Sequence, residues 1–402
     1  MGEILGVGCT HRPLMLRPNE DWTAMMKASL DDPAMPEEMK NPTAWPAPLR
    51  EELGNDWGSA SAARAREVYR AHFAEARRVI DEFNPDVVIM WGDDQYENFK
   101  EDIVPPFAVL AYDDQELQPW AHRRSPWNPW DEPKDKAMRV RGHREAGKHL
   151  ATGLIEAGID VGYSYKPLHH PMGHAFENTI ILLDDERRGF DYPLVQFSVN
   201  CYGRRVNAAR GLRLPLAMRD EIRDPETQAF DPPGPNPHRC MQVGAAAARV
   251  MAQSPWRTAF VASSSWSHSF LTEKNWQLWP DVAADRRLYD ALETGDYAQW
   301  HGYTTDQIED SGQHEVLNWF CLLGAMEELG RKPDKATFIE SWAFVSPVVF
   351  AYYTAAGSPH PPTPSARVPL SPASGGGLGW GLSLLTRCNT QRRPARQRPS
   401  SR

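Results

Sequence analysis

The stretch Val87–Gln95, Val-Val-Ile-Met-Trp-Gly-Asp-Asp-Gln, constrains the fold more than any other part of the chain. Its β-forming apolar residues run without a polar break and then stop at a glycine and two carboxylates. A strand buried on both faces of a parallel sheet reads this way where it delivers polar side chains to the carboxyl edge. Open α/β sheets bind their ligands at that edge. The preceding residues agree. Ser61 to Phe83 reads as a helix, with Val68, Ala71, Phe73, Ala76, Val79 and Ile80 near a helical repeat. It ends at Asn84-Pro85, because proline biases the residue before it away from helical conformation. Helix, tight turn, buried strand and acidic tip form the unit of an α/β enzyme.

A chain of 402 residues has room for one large or two ordinary domains. With 41% hydrophobic and 24% charged residues, it falls in the ordinary globular class. Met1 to Gly6 lacks the basic start of a secretory signal. The longest apolar stretch, Ala343 to Tyr353, is broken by Ser346-Pro347 and too short to span a bilayer. The cysteines (Cys9, Cys201, Cys240, Cys321, Cys388) show no C-x-x-C spacing, which argues against a zinc ribbon or disulfide framework and points to a reducing cytoplasm. From Gly357 onward there are seven arginines and no lysine or acidic residue. The 44 basic side chains less those seven, against 53 acidic ones, leave residues 1–356 with a formal charge of about −16. A body that acidic repels phosphate backbones, so neither nucleic acid nor a membrane is expected as a partner.

Several strand exits carry polar residues. Gly2 to Gly8 reads as a first strand leading to Cys9-Thr10-His11-Arg12-Pro13. Leu194 to Val199 leads to Asn200-Cys201-Tyr202, and Thr258 to Ala262 leads to a serine-rich turn with Trp266-Ser267-His268. Ile103 to Leu110 and Ile159 to Tyr165 read as further strands. His143 to Ala157 and Cys240 to Met251 read as helices, and another begins near Gly312, with Glu315 in its first turn. Three histidines, His169, His170 and His174, fall within six residues. Each signal has a plain alternative. A lone loop histidine is often merely solvated, and a first-turn glutamate often only complements the helix dipole. The absence of a G-x-S-x-G elbow argues against a serine hydrolase. Residues 17–58 and 113–136 read as long irregular segments, whose tryptophans (Trp22, Trp45, Trp57, Trp120, Trp127, Trp130) either wall a pocket or cover the core. Beyond Gly357 the Pro/Gly/Ser/Arg-rich sequence cannot bury a core, so 357–402 is expected to be a disordered tail after a domain spanning 1–356.

Taken together, the strand-end histidines and Glu315 suggest the neutral donors and carboxylate of a non-haem iron site with open positions. The chain resembles the class III extradiol ring-cleavage dioxygenases, the family of the protocatechuate 4,5-dioxygenase catalytic subunit. The resemblance rests on Thr10-His11-Arg12-Pro13, Val87–Phe99 followed by Val104-Pro105-Pro106-Phe107, Gly173-His174-Ala175, Trp266-Ser267-His268, and Gly312-Gln313-His314-Glu315 with Asn318-Trp319. These occur in the family's order across about residues 3 to 350. The Gly-Asp-Asp-Gln tip looks most similar to the 3-O-methylgallate dioxygenase branch.

The resemblance implies one α/β domain with a central mixed sheet flanked by helices, Fe(II) as cofactor, a catecholic substrate with O2, and a cytoplasmic homo-oligomer. It implies that His11 and Glu315 bind the metal. The family's second histidine ligand falls at Gln95, whose amide oxygen coordinates more weakly, so the role passes either to Gln95 or to Asp94, His169 or His170. His174 matches the family's acid/base histidine, and His268 the histidine that takes the catechol proton. Arg12 and the Arg204-Arg205 pair are candidates for contacting a ring carboxylate. The Gln95 departure motivates one alternative, a non-oxidative metal-dependent hydrolase or lyase on the same fold; relatives of the fold that look like interaction proteins motivate another, a non-enzymatic interaction protein.

Overall fold

The acid-tipped stretch is the strand β2 (Val87–Asp93), every residue of it buried. It lies in a computed structural model that describes residues 2–121, 123, 127–210, 212–218, 230–354 and 366–369. The other strands are β1 (Ile4–Cys9), β3 (Phe107–Leu110), β4 (Gln115–Leu117), β5 (Met138–Val140), β6 (Gly162–Ser164), β7 (Leu194–Val199), β8 (Thr258–Ser263), β9 (Lys335–Glu340), β10 (Val348–Tyr353) and β11 (Ala366–Pro369). Nine of them form one sheet in the order β11-β9-β10-β1-β8-β2-β7-β3-β6, while β4 and β5 pair separately. The centre, β1-β8-β2-β7, is parallel throughout, so all four strands deliver their carboxyl ends to one edge. Antiparallel neighbours, β10 on β1 and β3 on β7, flank this centre and make the sheet mixed. The α/β architecture with a central mixed sheet is as the sequence implies.

Helices cover both faces. Ser59–Phe83 and His174–Leu183 pack on one, and Arg144–Glu156, Pro237–Ala252 and Leu317–Glu328 on the other. The long helix buries Ala62, Ala65, Tyr69, Phe73, Ala76 and Ile80, while Ala71 is exposed and Val68 half-buried, so its inward stripe is rotated slightly from the one the sequence suggests. It stops where Asn84 turns left-handed (φ 48°) ahead of Pro85. Glycines let layers approach closely. A Cβ on Gly8 of β1 would lie 2.3 Å from the Trp319 ring, and one on Gly244 would lie 1.8 Å from the Cys321 carbonyl oxygen where the helices Pro237–Ala252 and Leu317–Glu328 cross.

Some segments differ from the sequence reading. Residues 17–58 are not an irregular loop but a run of short helices, including Ala24–Leu30 and Ala47–Leu53. Prolines open rather than break several of them, a position where the missing N–H costs nothing. Trp22 and Trp45 are buried there, Trp22 stacked on Tyr69 at 6.0 Å, so they cover the core. In 113–136, Trp120 is buried, and Arg17 and Arg187 lie over the rings of Trp127 and Trp130, each at 3.5 Å. The short β4–β5 hairpin brackets this segment. The helix at Val282–Thr294 and the strand β9 have no counterpart in the sequence reading. Of the expected tail, Ala366–Pro369 is a strand parallel to β9, and the rest lies outside the described residues. Among the described residues no helix is long and apolar enough to cross a membrane.

Candidate metal centre

The site is built at the carboxyl edge of the parallel strands. His11 follows β1, Asp93 ends β2, Tyr202 follows β7, and His268 follows β8. Glu315 comes from the other direction, in the single turn His314–Val316 that opens the helix Leu317–Glu328. His174 is the first residue of its helix, and β2 comes close to it because Gly92 has no side chain; a Cβ there would lie 2.9 Å from Phe176.

Ligand atoms of His11, Asp93, His174 and Glu315 all lie within 4.8 Å of one another. His11 Nε2 is 3.5 Å from Glu315 Oε2, about the spacing of two neighbouring ligands on one cation. The orientation of His11 is fixed from behind. Its Nδ1 lies 3.1 Å from Ser263 Oγ, whose own proton goes to the Ala175 carbonyl at 3.0 Å. Ser263 therefore accepts from Nδ1–H, and Nε2 keeps its lone pair toward the site.

Glu315 is held on both oxygens. Oε2 accepts from the Ser265 N–H at 2.9 Å. Oε1 accepts from Tyr202 OH at 2.7 Å, from Gln95 Nε2 at 3.2 Å, and lies 3.2 Å from His268 Nε2. Burial would raise its pKa, but His268 and His11 hold it well below the usual carboxylate range. Burial pushes His11 down to about 4, against the opposing pull of Glu315. For His174, burial would also lower the pKa. The charge and hydrogen bond of Glu97, whose Oε2 lies 3.0 Å from Nδ1, overcome this and, with Asp93 and Glu315, push it up to about 10. Asp93 is raised well above the carboxylate range by burial and by the charge of Glu315.

His268 and Glu315 are set by a shared brace. Asp285, on the helix Val282–Thr294, accepts from the backbone and hydroxyl of Ser267 and from Gln313 Nε2 at 2.7 Å. The His268 N–H bonds the Gly312 carbonyl at 2.9 Å. The two loops carrying the functional residues are thereby locked to each other.

The structure thus gathers His11, Gln95, His174, His268 and Glu315 in one place. It does not gather the other candidates. Asp94 is a turn organiser, its carboxylate accepting from the N–H groups of Glu97, Asn98 and Phe99. His169 pairs with Asp102 at 2.9 Å, and His170 Nδ1 faces the Met172 carbonyl at 2.7 Å. Arg12 is buried against the carbonyls of Phe344 and Ser346 and over the Tyr69 ring, where it pins the fold. Arg204 pairs with Glu309 and Arg205 with Glu273. Among the described residues Arg205 Nη1 is buried without a hydrogen-bond partner, and Arg205 lines, with His314, a cavity of about 240 Å³.

Sequence reasoning missed Asp93, Glu97, Tyr202, Ser263 and Asp285 as site residues. Asp93 had a signal, as the first carboxylate at the tip of the apolar strand. The others depend on tertiary contacts.

The residues present fit a divalent cation. Asp93 is fully buried, and among the described residues neither of its carboxylate oxygens has a hydrogen-bond partner. With His174 Nε2 no nearer than 4.0 Å, both oxygens of this buried carboxylate are left open to a cation.

No family model matches the chain. Curated proteins of similar sequence share one name, 2,3-dihydroxyphenylpropionate/2,3-dihydroxicinnamic acid 1,2-dioxygenase. The protein of that name from a Rhodococcus species is 25% identical over 299 residues, covering 68% of this chain and 87% of its own. That from Burkholderia vietnamiensis is 26% identical over 294 residues, 68% of this chain and 84% of its own. One from a Mycobacterium species is 30% identical over 145 residues, 34% of this chain and 38% of its own. At about a quarter identity over most of its length, the chain is a homologue of proteins named as dioxygenases.

Proposed function

We propose that residues 1–356 form a non-haem Fe(II)-dependent extradiol dioxygenase that opens a catechol-type ring with incorporation of O2, in the cytoplasmic catabolism of aromatic compounds, as a homo-oligomer. The observation that carries this is the cluster of His11, Asp93 and Glu315, all buried, with the half-buried His174 and with His268 against Glu315, at the carboxyl edge of the sheet. The names of the homologues support the reaction class.

Bound iron supplies a Lewis acid that stabilises the deprotonated catechol and brings O2 beside the ring. The protein's part is positioning and proton handling. His11 and Glu315 hold the ion, each oriented by its own hydrogen bonds. His268 has a buried, unpartnered Nδ1 and takes the catechol proton. His174, protonated through Glu97, presents positive charge from Nε2 toward the site, stabilises negative charge developing on oxygen and donates the proton needed when the O–O bond breaks. Burial keeps competing water out.

The finer substrate is a ring bearing an acidic substituent, either of the 3-O-methylgallate type that the Gly-Asp-Asp-Gln tip resembles or of the dihydroxyphenylpropionate type named for the homologues. The free Nη1 of Arg205 is the partner we assign to that substituent. The test is anaerobic reconstitution with Fe(II), then oxygen-electrode assays on catechol, protocatechuate, gallate, 3-O-methylgallate and 2,3-dihydroxyphenylpropionate. Stoichiometric O2 uptake with a new near-visible product band is expected. Metal binding with no O2 uptake on any ring overturns the reading and favours the non-oxidative alternative that Gln95 motivates. Absence of any metal binding favours the non-enzymatic one.

A further inference from the structure

We infer that Asp93 is the third protein ligand of the metal, taking the place that the family resemblance gives to Gln95, and that Gln95 with Tyr202 has become a brace on Glu315. The inference rests on the reading of this site as a divalent-metal centre, and not on which reaction that centre performs.

Position 95 fails as a ligand by orientation. The Gln95 amide nitrogen donates to the Tyr202 hydroxyl and to Glu315 Oε1. Tyr202 in turn donates to the same Oε1 at 2.7 Å. The three groups close a small ring of hydrogen bonds that fixes one carboxylate oxygen. An amide nitrogen carries no lone pair free for a cation, so the group facing Glu315 serves as a donor.

Asp93 has the opposite profile. It is 0% exposed, and both carboxylate oxygens are unpartnered. Its nearest cationic contact is His174 Nε2, at 4.0 Å. In contrast to Asp94, which three backbone N–H groups satisfy, Asp93 accepts no hydrogen bond among the described residues and has only this longer contact with His174. A carboxylate left that way persists where a ligand completes it. Its oxygens fall in the same 4.8 Å cluster as those of His11 and Glu315. A shift from the loop residue Gln95 back to the strand residue Asp93 moves the ligand from the tip to the sheet itself.

This changes the charge of the centre. Two carboxylates and one histidine around a divalent ion give a formally neutral site, where two histidines and one carboxylate leave a single positive charge. The harder oxygen-rich set suits Fe(II) and Mn(II) and weakens the Lewis acidity available to the substrate.

The experiment titrates metal-free, full-length protein with Mn(II), following free Mn(II) by its EPR signal, for wild type, Asp93→Asn, Gln95→Ala and Glu315→Gln. Asp93→Asn is expected to bind more than about 100-fold more weakly, beyond the range for outer-shell partners, and Gln95→Ala to stay within about tenfold of wild type. Wild-type affinity in Asp93→Asn overturns the inference, as does a loss in Gln95→Ala matching that in Glu315→Gln. If Asp93→Asn does not fold, Gln95→Ala decides alone by the same two outcomes. Because affinity is read rather than turnover, a protein that binds Mn(II) but consumes no O2 with Fe(II) sinks the dioxygenase reading and leaves the ligand assignment standing. A wild type that binds no metal sinks both.

Discussion

Glu315 separates two kinds of neighbour. His268 lies 3.2 Å from one of its oxygens yet, in the proposed chemistry, works on the substrate. His268→Ala is therefore expected to keep metal content, measured by elemental analysis, and to lose turnover nearly completely; retained turnover rules out its role as base. Tyr202 acts only through Glu315. Tyr202→Phe keeps the ring stacked 6.0 Å from that of His314 and removes the hydroxyl that donates to Glu315 and accepts from Gln95. Metal affinity should fall about tenfold or somewhat more, the usual effect of an outer-shell partner, and an unchanged dissociation constant rejects the brace. Arg205→Met tests substrate recognition. KM for a carboxylated catechol should rise by about tenfold or more while that for unsubstituted catechol stays put, since a charge-assisted hydrogen bond contributes about 1.5–3 kcal/mol. Equal changes for both rings assign Arg205 to structure.

At the scale of elements, Gly8 and Gly244 state what the sheet and its helices require. Gly8→Val drives a branched side chain into Trp319 on the helix that carries Glu315. It should cost at least about 1–3 kcal/mol in denaturant unfolding, as overpacking does, and loosen metal binding with it. Elements were legible in the sequence where their signal is local. β2, β7, β8 and the helix Ser59–Phe83 have a mostly apolar run or a helical stripe with a clear stop. The short helices within 17–58 were not, because prolines that open a helix look the same in sequence as prolines that break one. The helix Val282–Thr294 went unread although Asp281 caps it. Its residue Asp285 matters only through Ser267 and Gln313, contacts that no periodicity encodes. In the site, histidines at strand exits were visible as such. The switch between Asp93, Asp94 and Gln95 was not, since adjacent polar residues at a strand tip differ in role only once the chain's turn decides which one faces inward.

For the whole molecule, buried carboxylates link stability to pH. Burial pushes Glu52 up to about 7 from an ordinary 4.5, although the N–H groups of Trp342 and Ala343, the Ser341 hydroxyl and Arg12 pull the other way. The folded protein thus holds this proton more tightly than the unfolded chain. The stabilisation is fully present below about pH 4.5 and is lost as pH rises through 7. Glu52→Gln keeps acceptors for both N–H groups without an ionisable oxygen. Its melting temperature relative to wild type should improve between about pH 5 and pH 7 and level off above that in metal-free protein; a pH-independent difference refutes the linkage.

β1 occupies the middle of the sheet, between β10 and β8, although it opens the chain. Until residues 258–263 have been synthesised it has no parallel neighbour, and until 348–353 it has no antiparallel one. His11 meets Ser263 across 252 residues of sequence, and Arg12 meets Ser346 across 334. Such long loops must close before their contacts repay the lost entropy, which makes assembly slow. On the ribosome, β1 waits for β8 and β10 with both hydrogen-bonding edges open and exposed to mispairing. The residues proposed as metal ligands can converge only after Glu315 has left the exit tunnel, which would place ion capture at the final stage of folding rather than at its nucleation.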